Sequence, residues 1–217
     1  FSLDGVADRD ASGNLAGWGR LAGRDQAFYC DLGLALRIDG LARALPFNLP
    51  QAARARFIVG AGFHLETPWR PAQAMPFGPE VYDDPAWRRG LPAANPDHRR
   101  FWAPAYYGGS EMGLLVPVAA PVYQGERLAG VLAIDTSVDY LQRINRGFDY
   151  PVGAVALVDG FGQVLAHPDL AAGALAARAP GPFSQAVPAS VAADLGALAR
   201  LPAGQPLVVG GHVVMRR

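Results

Sequence analysis

The pattern of apolar and polar residues predicts helices and short strands along the first half of the chain. Residues 24–45 carry apolar side chains three and four positions apart, the spacing of an amphipathic helix, and Pro46 is expected to end that helix. Residues 56–60 and 62–67 are apolar enough to predict two short strands joined by a tight turn. Residues 70–100 are rich in Pro, Gly and Asp without a sustained period, which predicts a long loop.

The clearest pattern is a predicted β-hairpin followed by a helix. Two apolar stretches, residues 114–123 and 128–134, flank the turn sequence Gln124-Gly125-Glu126. A helix is predicted directly afterwards, over residues 138–146. We expect the second strand to be buried.

Asp135 stands at the end of the second strand of this hairpin. Period-two alternation puts Val131 and Ala133 on the same side of the strand as Asp135, where they would form the floor of any pocket. Asp135, Thr136 and Ser137 are also good N-cap residues for the following helix. The Asp135 carboxylate therefore has two candidate roles, ligand binding and helix capping, and its two oxygens make these roles compatible.

A dense set of aromatic side chains lies in and beside the long loop. Its members are Trp69, Phe77, Trp87, Phe101, Trp102, Tyr106 and Tyr107. With Asp135 they suggest a pocket that has apolar walls and one fixed carboxylate. Such a pocket suits an ammonium group, through an ion pair and cation–π attraction. The alternative is that the rings only pack the loop onto a sheet and bind nothing.

The second half of the chain predicts a further, smaller unit. Residues 146–151 break the preceding helix, and we place a domain boundary after residue 147. A strand pair is predicted over residues 155–167, a helix N-capped by Ser190 over residues 190–201, and a last strand pair over residues 205–215. Strands and hairpins alternating with helices indicate an α+β fold built on antiparallel sheets.

The order of motifs resembles the double-Cache sensor domains, the PAS-like extracytoplasmic sensors of bacterial chemoreceptors, histidine kinases and diguanylate cyclases. The matching residues are Trp102, Pro104, Tyr106, Pro121, Val122, Tyr123, Gly130, Val131, Ile134 and Asp135. A second match covers residues 155–168. The resemblance implies two PAS-like modules, each with an antiparallel sheet flanked by helices. Residues 1–147 would form the membrane-distal, ligand-binding module, and residues 148–217 an incomplete membrane-proximal one.

One position departs from the amino-acid-binding members of that family. Those members carry an Arg two residues before a Trp, and the Arg holds the ligand carboxylate. If Trp87 is that Trp, Pro85 occupies the Arg position, and Arg88 and Arg89 lie on the other side of it. The resemblance therefore implies a small-molecule ligand, and the departure favours a cationic or amine-bearing one.

Composition and the remaining polar residues exclude several other functions. The 217 residues include 19 basic and 19 acidic side chains, so no net positive charge is available to attract nucleic acid. The four His and one Cys show no metal-site spacing, and no cofactor motif is present. Ser110 fails the nucleophile-elbow pattern because Met112 replaces the second glycine. Cys30 is expected to be a small buried apolar residue.

We therefore expect a sensor that is not an enzyme. The chain is expected to be the periplasmic part of an inner-membrane receptor, with transmembrane helices before Phe1 and after Arg217, and it is a candidate for homodimerisation. Two alternatives stay open, a hydrolytic enzyme domain and a ligand-free dimerisation module.

Overall fold

The computed structural model describes residues 1–4, 12–109, 111–148, 155–159 and 164–167, together with the backbone of two strands near the carboxyl terminus. Contacts divide the chain into two compact units. The first unit comprises Phe1–Ala103 and Leu115–Ser137, and the second comprises Pro104–Leu114 and Val138–Arg217. The predicted boundary after residue 147 falls inside the second unit, and the division into two modules stays a prediction.

An antiparallel sheet forms the centre of the first unit, which confirms the predicted α+β class. In chain order the strands are β1 (Asn14–Gly17), β2 (Ala52–Val59), β3 (Phe63–Thr67), β4 (Phe101–Trp102), β5 (Tyr106–Tyr107), β6 (Leu114–Gln124) and β7 (Arg127–Ser137). Strand β5 belongs to the second unit. The others are ordered β1-β3-β2-β7-β6-β4, and each neighbouring pair is antiparallel.

The predicted hairpin is confirmed as β6 and β7. Its ladder runs from Leu115 opposite Ser137 to Gln124 opposite Arg127, and Gly125 in the turn has a φ of 61°, which favours glycine. Strand β7 continues to Ser137, three residues beyond the predicted end. Asp135 is therefore a strand residue, which corrects its expected role as a helix cap.

The first helix is shorter than predicted, and a second helix follows it. Helix α1 spans Gln26–Ala42, and the carboxylate of Asp25 caps it by accepting the backbone N–H of Phe28 at 2.8 Å. Helix α2 spans Leu45–Asn48 and contains Pro46 in its first turn. Proline is compatible with that position because the first N–H groups of a helix have no intrahelical partner, so Pro46 lies within a helix and does not end one.

One face of the sheet packs on α1 through apolar side chains. The buried cluster is Leu15, Phe28, Ala35, Phe57, Val59, Phe63 and Leu65. A partly buried polar contact joins the helix to the hairpin: Arg127 donates to both carboxylate oxygens of Asp31, at 2.9 and 2.6 Å, and Gln124 donates to one of them at 3.2 Å. Cys30 is exposed on this helix, so its expected burial is wrong.

The opposite face lies under residues 68–100, named here the covering segment. It contains two 3₁₀ turns (Ala72–Ala74 and Pro79–Asp83) and helix α3 (Pro85–Gly90), so the predicted long loop includes three short helical pieces. Helix α3 lies so close to the sheet that a Cβ atom on Gly90 would overlap the side chain of Val131. Only glycine permits this approach.

The second unit contains helix α4 and short strand pairs. Helix α4 spans Val138–Arg146 as predicted, and the strands are β8 (Leu157–Val158), β9 (Val164–Ala166), β10 (Pro206–Val209) and β11 (His212–Met215). The side-chain amide of Gln142 makes two hydrogen bonds to the backbone of His167. Its Oε1 accepts the N–H of His167 at 2.9 Å, and its Nε2 donates to the carbonyl oxygen of His167. The predicted helix over residues 190–201 lies outside the described residues.

Within the ranges that the structure describes, no helix combines the length and the apolar character that crossing a bilayer requires.

Candidate functional site

The face of the sheet beneath the covering segment carries a chain of alternating charges, named here the ionic array. In order of contact its members are Asp84, Arg56, Asp135, Arg54, Glu66 and Arg70. Three carboxylates alternate with three guanidinium groups, so their charges sum to zero. All six belong to the first unit.

Asp135 is the buried centre of the ionic array. Its side chain is 0% exposed, and Arg54 and Arg56 each donate from Nε to one of its oxygens at 2.9 Å. Arg56 also reaches the other oxygen at 3.3 Å. The register explains the convergence, because Arg54 lies directly opposite Asp135, and Arg56 lies opposite Ala133 two positions away.

The two ends of the ionic array lie in the covering segment. At one end Arg56 donates to Asp84, whose other oxygen caps α3 by accepting the N–H of Ala86 at 2.7 Å. At the other end Arg70 donates to Glu66 at 3.2 Å. The side chains of Asp84 and Arg70 are 16% and 23% exposed, more than any other member. Solvent therefore reaches the ionic array from its ends.

His64 lies on the same face and is satisfied inside the protein. Its Nε2 is 3.3 Å from the carbonyl oxygen of Met75, which only accepts, so Nε2 carries the proton. Burial lowers the pKa of His64, and the positive charges of Arg54 and Arg56 act in the same direction while Glu66 and the Met75 carbonyl oppose them. His64 therefore binds the covering segment as a neutral ring.

A row of aromatic rings runs through the covering segment. Phe77 contacts Trp18, His64 and Tyr82 at centroid distances of 4.9, 5.3 and 5.9 Å, and Tyr82 contacts Trp87 at 5.0 Å. All of these contacts lie within the first unit. Phe77 joins this row of rings to the face of the sheet through its contact with His64.

Trp87 and Phe101 contact a floor of small side chains on the same face. The floor consists of Ala103, Ala119, Val131 and Ala133, and Ala86 of α3 completes this buried cluster from the covering segment. The guanidinium of Arg89 lies 5.7 Å from the centre of the Phe101 ring. Val131 and Ala133 thus share a face with Asp135, as period-two alternation predicts.

The register separates Trp102 from this group. Phe101 lies opposite Ala119, which lies opposite Ala133, whereas Trp102 lies opposite Val118 on the other face. Consecutive strand residues point to opposite faces, so Phe101 and Trp102 cannot line one pocket in this register.

Trp69 and Trp102 are about half exposed, at 47% and 54%. Tyr106 belongs to the second unit. Among the predicted site residues, the face under the covering segment therefore holds Phe77, Trp87, Phe101 and Asp135. The composition of the binding site stays a prediction.

The sequence analysis missed most of the ionic array. Arg54 and Arg56 are two positions apart in β2, and His64 and Glu66 are two positions apart in the adjacent strand β3. Period-two alternation applied to these strands would have placed each pair on one face. Their pairing with Asp135 also requires the register between β2 and β7, which is a long-range property.

The ionic array can exchange partners with a charged small molecule, because its carboxylates and guanidinium groups bind the same chemical groups in ligands. Among the described residues, His, Cys, Asp and Glu do not gather in a group of three that would hold a metal ion.

No family model matches the sequence, and no curated protein matches it. Solved structures do match. The ligand-binding domain of the Campylobacter jejuni chemoreceptor Tlp3 in complex with L-valine has a TM-score of 0.50 at 14% identity, over 69% of this chain and 58% of that one. The domain of the Pseudomonas aeruginosa chemoreceptor PctB with L-Arg gives 0.48 at 21% identity, over 66% and 58%.

The ligand-binding domain of the Pseudomonas aeruginosa chemoreceptor PctC with GABA gives a TM-score of 0.45 at 23% identity, over 65% of this chain and 66% of that one. This chain spans 58% of the length of the Tlp3 and PctB domains. The match to the Tlp3 domain agrees with the antiparallel sheet and its hairpin. The chain has the fold of the Cache-type, PAS-like ligand-binding domains of bacterial chemoreceptors.

Proposed function

We propose that this chain is the extracytoplasmic sensor domain of a bacterial membrane receptor, and that it binds a small molecule on the face of the sheet under the covering segment. One observation carries the proposal. The two faces of the same sheet differ, because one holds an apolar core and the other holds the ionic array, with a row of aromatic rings in the segment that covers that face.

Stability alone is a weak reason for such a face. Apolar side chains of similar volume often replace a buried ion pair without loss of stability, and sometimes with a gain. The face that packs on α1 shows that this sheet accommodates an apolar layer. Four charges on the sheet, joined to two more in the covering segment, are therefore better explained by recognition of a charged ligand.

The contacts of Asp135 refine the expected ligand. An amine near Asp135, Trp87 and Phe101 would be attracted by the carboxylate and by the ring faces. It would also meet Arg54 and Arg56, whose charges repel a simple cation. A ligand with both an amino group and an acidic group satisfies both signs of charge. The Tlp3 domain holds L-valine, a molecule of this class.

The proposal is tested by calorimetry and thermal unfolding of the 217-residue chain with a small-metabolite library. We expect saturable binding of amine-bearing compounds and a higher unfolding temperature in their presence. Asp135→Asn should weaken binding by about 1.5 to 3 kcal/mol, the scale of a hydrogen bond to a charged group. Asp83→Asn, at an exposed position, is the control and should leave binding unchanged. No binding by any compound would refute the proposal.

The same material tests the alternatives. Turnover of generic ester or phosphate substrates would favour a hydrolytic enzyme. Dimerisation without any ligand would favour a dimerisation module, and exposed Leu36, Leu41 and Phe47 are the apolar side chains on which a homodimer interface would be expected. Sedimentation of wild type and Phe47→Glu tests that expectation.

A further inference from the structure

Asp84 connects the ionic array to helix α3. One oxygen of its carboxylate accepts the guanidinium of Arg56, and the other caps α3 through the N–H of Ala86 at 2.7 Å. Helix α3 carries Trp87, whose side chain packs against the small residues on the floor of the same face. Thus a single carboxylate fixes part of the covering segment to strand β2.

The same carboxylate satisfies a guanidinium that also contacts the centre of the ionic array. Arg56 uses Nε and one terminal nitrogen for Asp135, and its other terminal nitrogen for Asp84. Of the two acidic partners Asp84 is the more exposed, with 16% of its side chain accessible against 0% for Asp135. An incoming acid therefore meets the Asp84 contact first.

Resting on the proposed function, we propose that Asp84 is an internal competitor for the acidic group of the ligand. The ligand acid replaces Asp84 at Arg56 by exchange of one carboxylate for another, so the charge balance of the ionic array is kept. Asp84 is then released from β2, and α3 loses its ionic link to the sheet. Arg56 is a specificity-determining residue, because it accepts an acid and repels a simple amine.

Replacement of Asp84 by the ligand acid also couples ligand binding to the conformation of the covering segment. A ligand shifts an equilibrium only by binding one state more tightly than the other. Here the bound acid favours the state in which Asp84 is free, while an amine without an acidic group leaves the Arg56–Asp84 pair intact. The covering segment thus responds to acids and not to amines.

The test compares Asp84→Asn with wild type by calorimetry of the full 217-residue chain. Asparagine is as good an N-cap as aspartate, so the cap of α3 is retained while the competing charge is removed. The matched control is Asp83→Asn, which removes the neighbouring carboxylate from an exposed pair with Arg88. The probes are L-valine, L-arginine, L-glutamine and GABA, each with the amine that lacks its carboxylate: isobutylamine, agmatine, 4-aminobutanamide and propylamine.

We expect Asp84→Asn to raise the affinity for the acids that bind by about tenfold, the scale of one hydrogen bond to a charged group. Affinity for the amines should change by less than about twofold, as should every affinity of Asp83→Asn. If Asp84→Asn changes acids and amines equally, or changes neither, the competition is overturned while sensing stands. If none of the eight probes binds any of the three proteins, the proposed function fails, and the competition fails with it.

Amide hydrogen exchange in α3 gives a second measurement. Acids should accelerate exchange at residues 85–90 of wild type, because α3 loses its link to β2, and the matching amines should not. Unchanged exchange at saturating acid would overturn the release of α3, even if the affinities behave as expected.

Discussion

The two faces of the central sheet are stabilised by opposite kinds of side chain. On the α1 face, Phe57 and Phe63 are fully buried in an apolar cluster that is held by area removed from water. On the covered face, Asp135 is equally buried but is held by two guanidinium groups. The same strands, β2 and β7, supply both faces through alternate residues.

The two faces therefore differ in how they tolerate substitution. Apolar contacts are non-directional, so the α1 face tolerates exchange of one apolar side chain for another of similar volume. Charged contacts need a partner of opposite sign at a fixed place, so the covered face tolerates few single substitutions. A face whose ion pairs can exchange partners can respond to a charged ligand, whereas an apolar face offers no charged partner to exchange.

The largest expected effect is a loss of stability caused by a substitution in the apolar face. Phe57→Ala should lower the free energy of unfolding by about 3 to 5 kcal/mol, because it leaves a cavity between the sheet and α1. Urea unfolding measures the change. Leu41→Ala is the control, since Leu41 is 76% exposed and its loss should cost less than about 0.5 kcal/mol. Equal losses for the two variants would contradict a core at Phe57.

The next largest effect is a loss of stability caused by removing a charge from the covered face. Asp135→Asn should lower the free energy of unfolding by about 3 kcal/mol, because Arg54 and Arg56 lose their shared counter-charge while buried. Asp97→Asn is the matched control at an exposed ion pair and should stay within about 0.5 kcal/mol of wild type. A wild-type value for Asp135→Asn would show that the ionic array is not coupled to folding.

A pH titration sharpens the comparison because, among the described residues of the sheet, the covered face holds the buried histidine, His64. The folded-state pKa of His64 lies below its unfolded value of about 6.5, so the unfolded chain takes up the proton more readily. The contribution of His64 to stability is therefore complete above pH 6.5 and is lost as the pH falls below it, by at most about 1.4 kcal/mol per pH unit.

The measurement for His64 is urea unfolding at a series of pH values. His64→Gln should reduce the slope of stability against pH below 6.5. The same slope in wild type and His64→Gln would show that His64 is not held neutral.

The smallest effect compares neighbouring residues on opposite faces. Phe101→Ala should weaken binding of an amine-bearing ligand by about 0.5 to 2 kcal/mol, through loss of a ring face on the covered side. Trp102→Ala should leave binding unchanged, because the register places Trp102 on the α1 side. Calorimetry on this matched pair decides between the two faces. A larger loss for Trp102→Ala would place the site on the other side of the sheet.

The hairpin β6–β7 could be predicted because its determinants are local. Two apolar stretches and a Gly-containing turn fix it without reference to the rest of the chain, and Val138–Arg146 followed from the same local reasoning. The placement of α1 depended on distant residues. Its buried positions include Asp31 and Asp39, which bind Arg127 and Ser12, whereas Leu36 and Leu41 are exposed.

The candidate site shows the same limit. Asp135 and the same-face relation to Val131 and Ala133 follow from alternation along one strand. Arg54 joins Asp135 across 81 residues, and only the register between two strands brings them together. Phe101 and Trp102 lie on opposite faces because they are consecutive residues of one strand. This could not be predicted, because β4 is only two residues long and has no alternating pattern that would identify it as a strand.

The zero charge sum of the ionic array has a consequence for how this sheet can evolve. Neutralising any one of its six members leaves an unbalanced charge, so neutral drift through single substitutions that remove a charge is restricted there. Losses of charge that preserve the sum must come in compensating pairs, such as loss of Arg70 together with Glu66. Across descendants of this chain, the members of the ionic array should therefore change together in adjacent pairs, while the apolar face drifts one residue at a time.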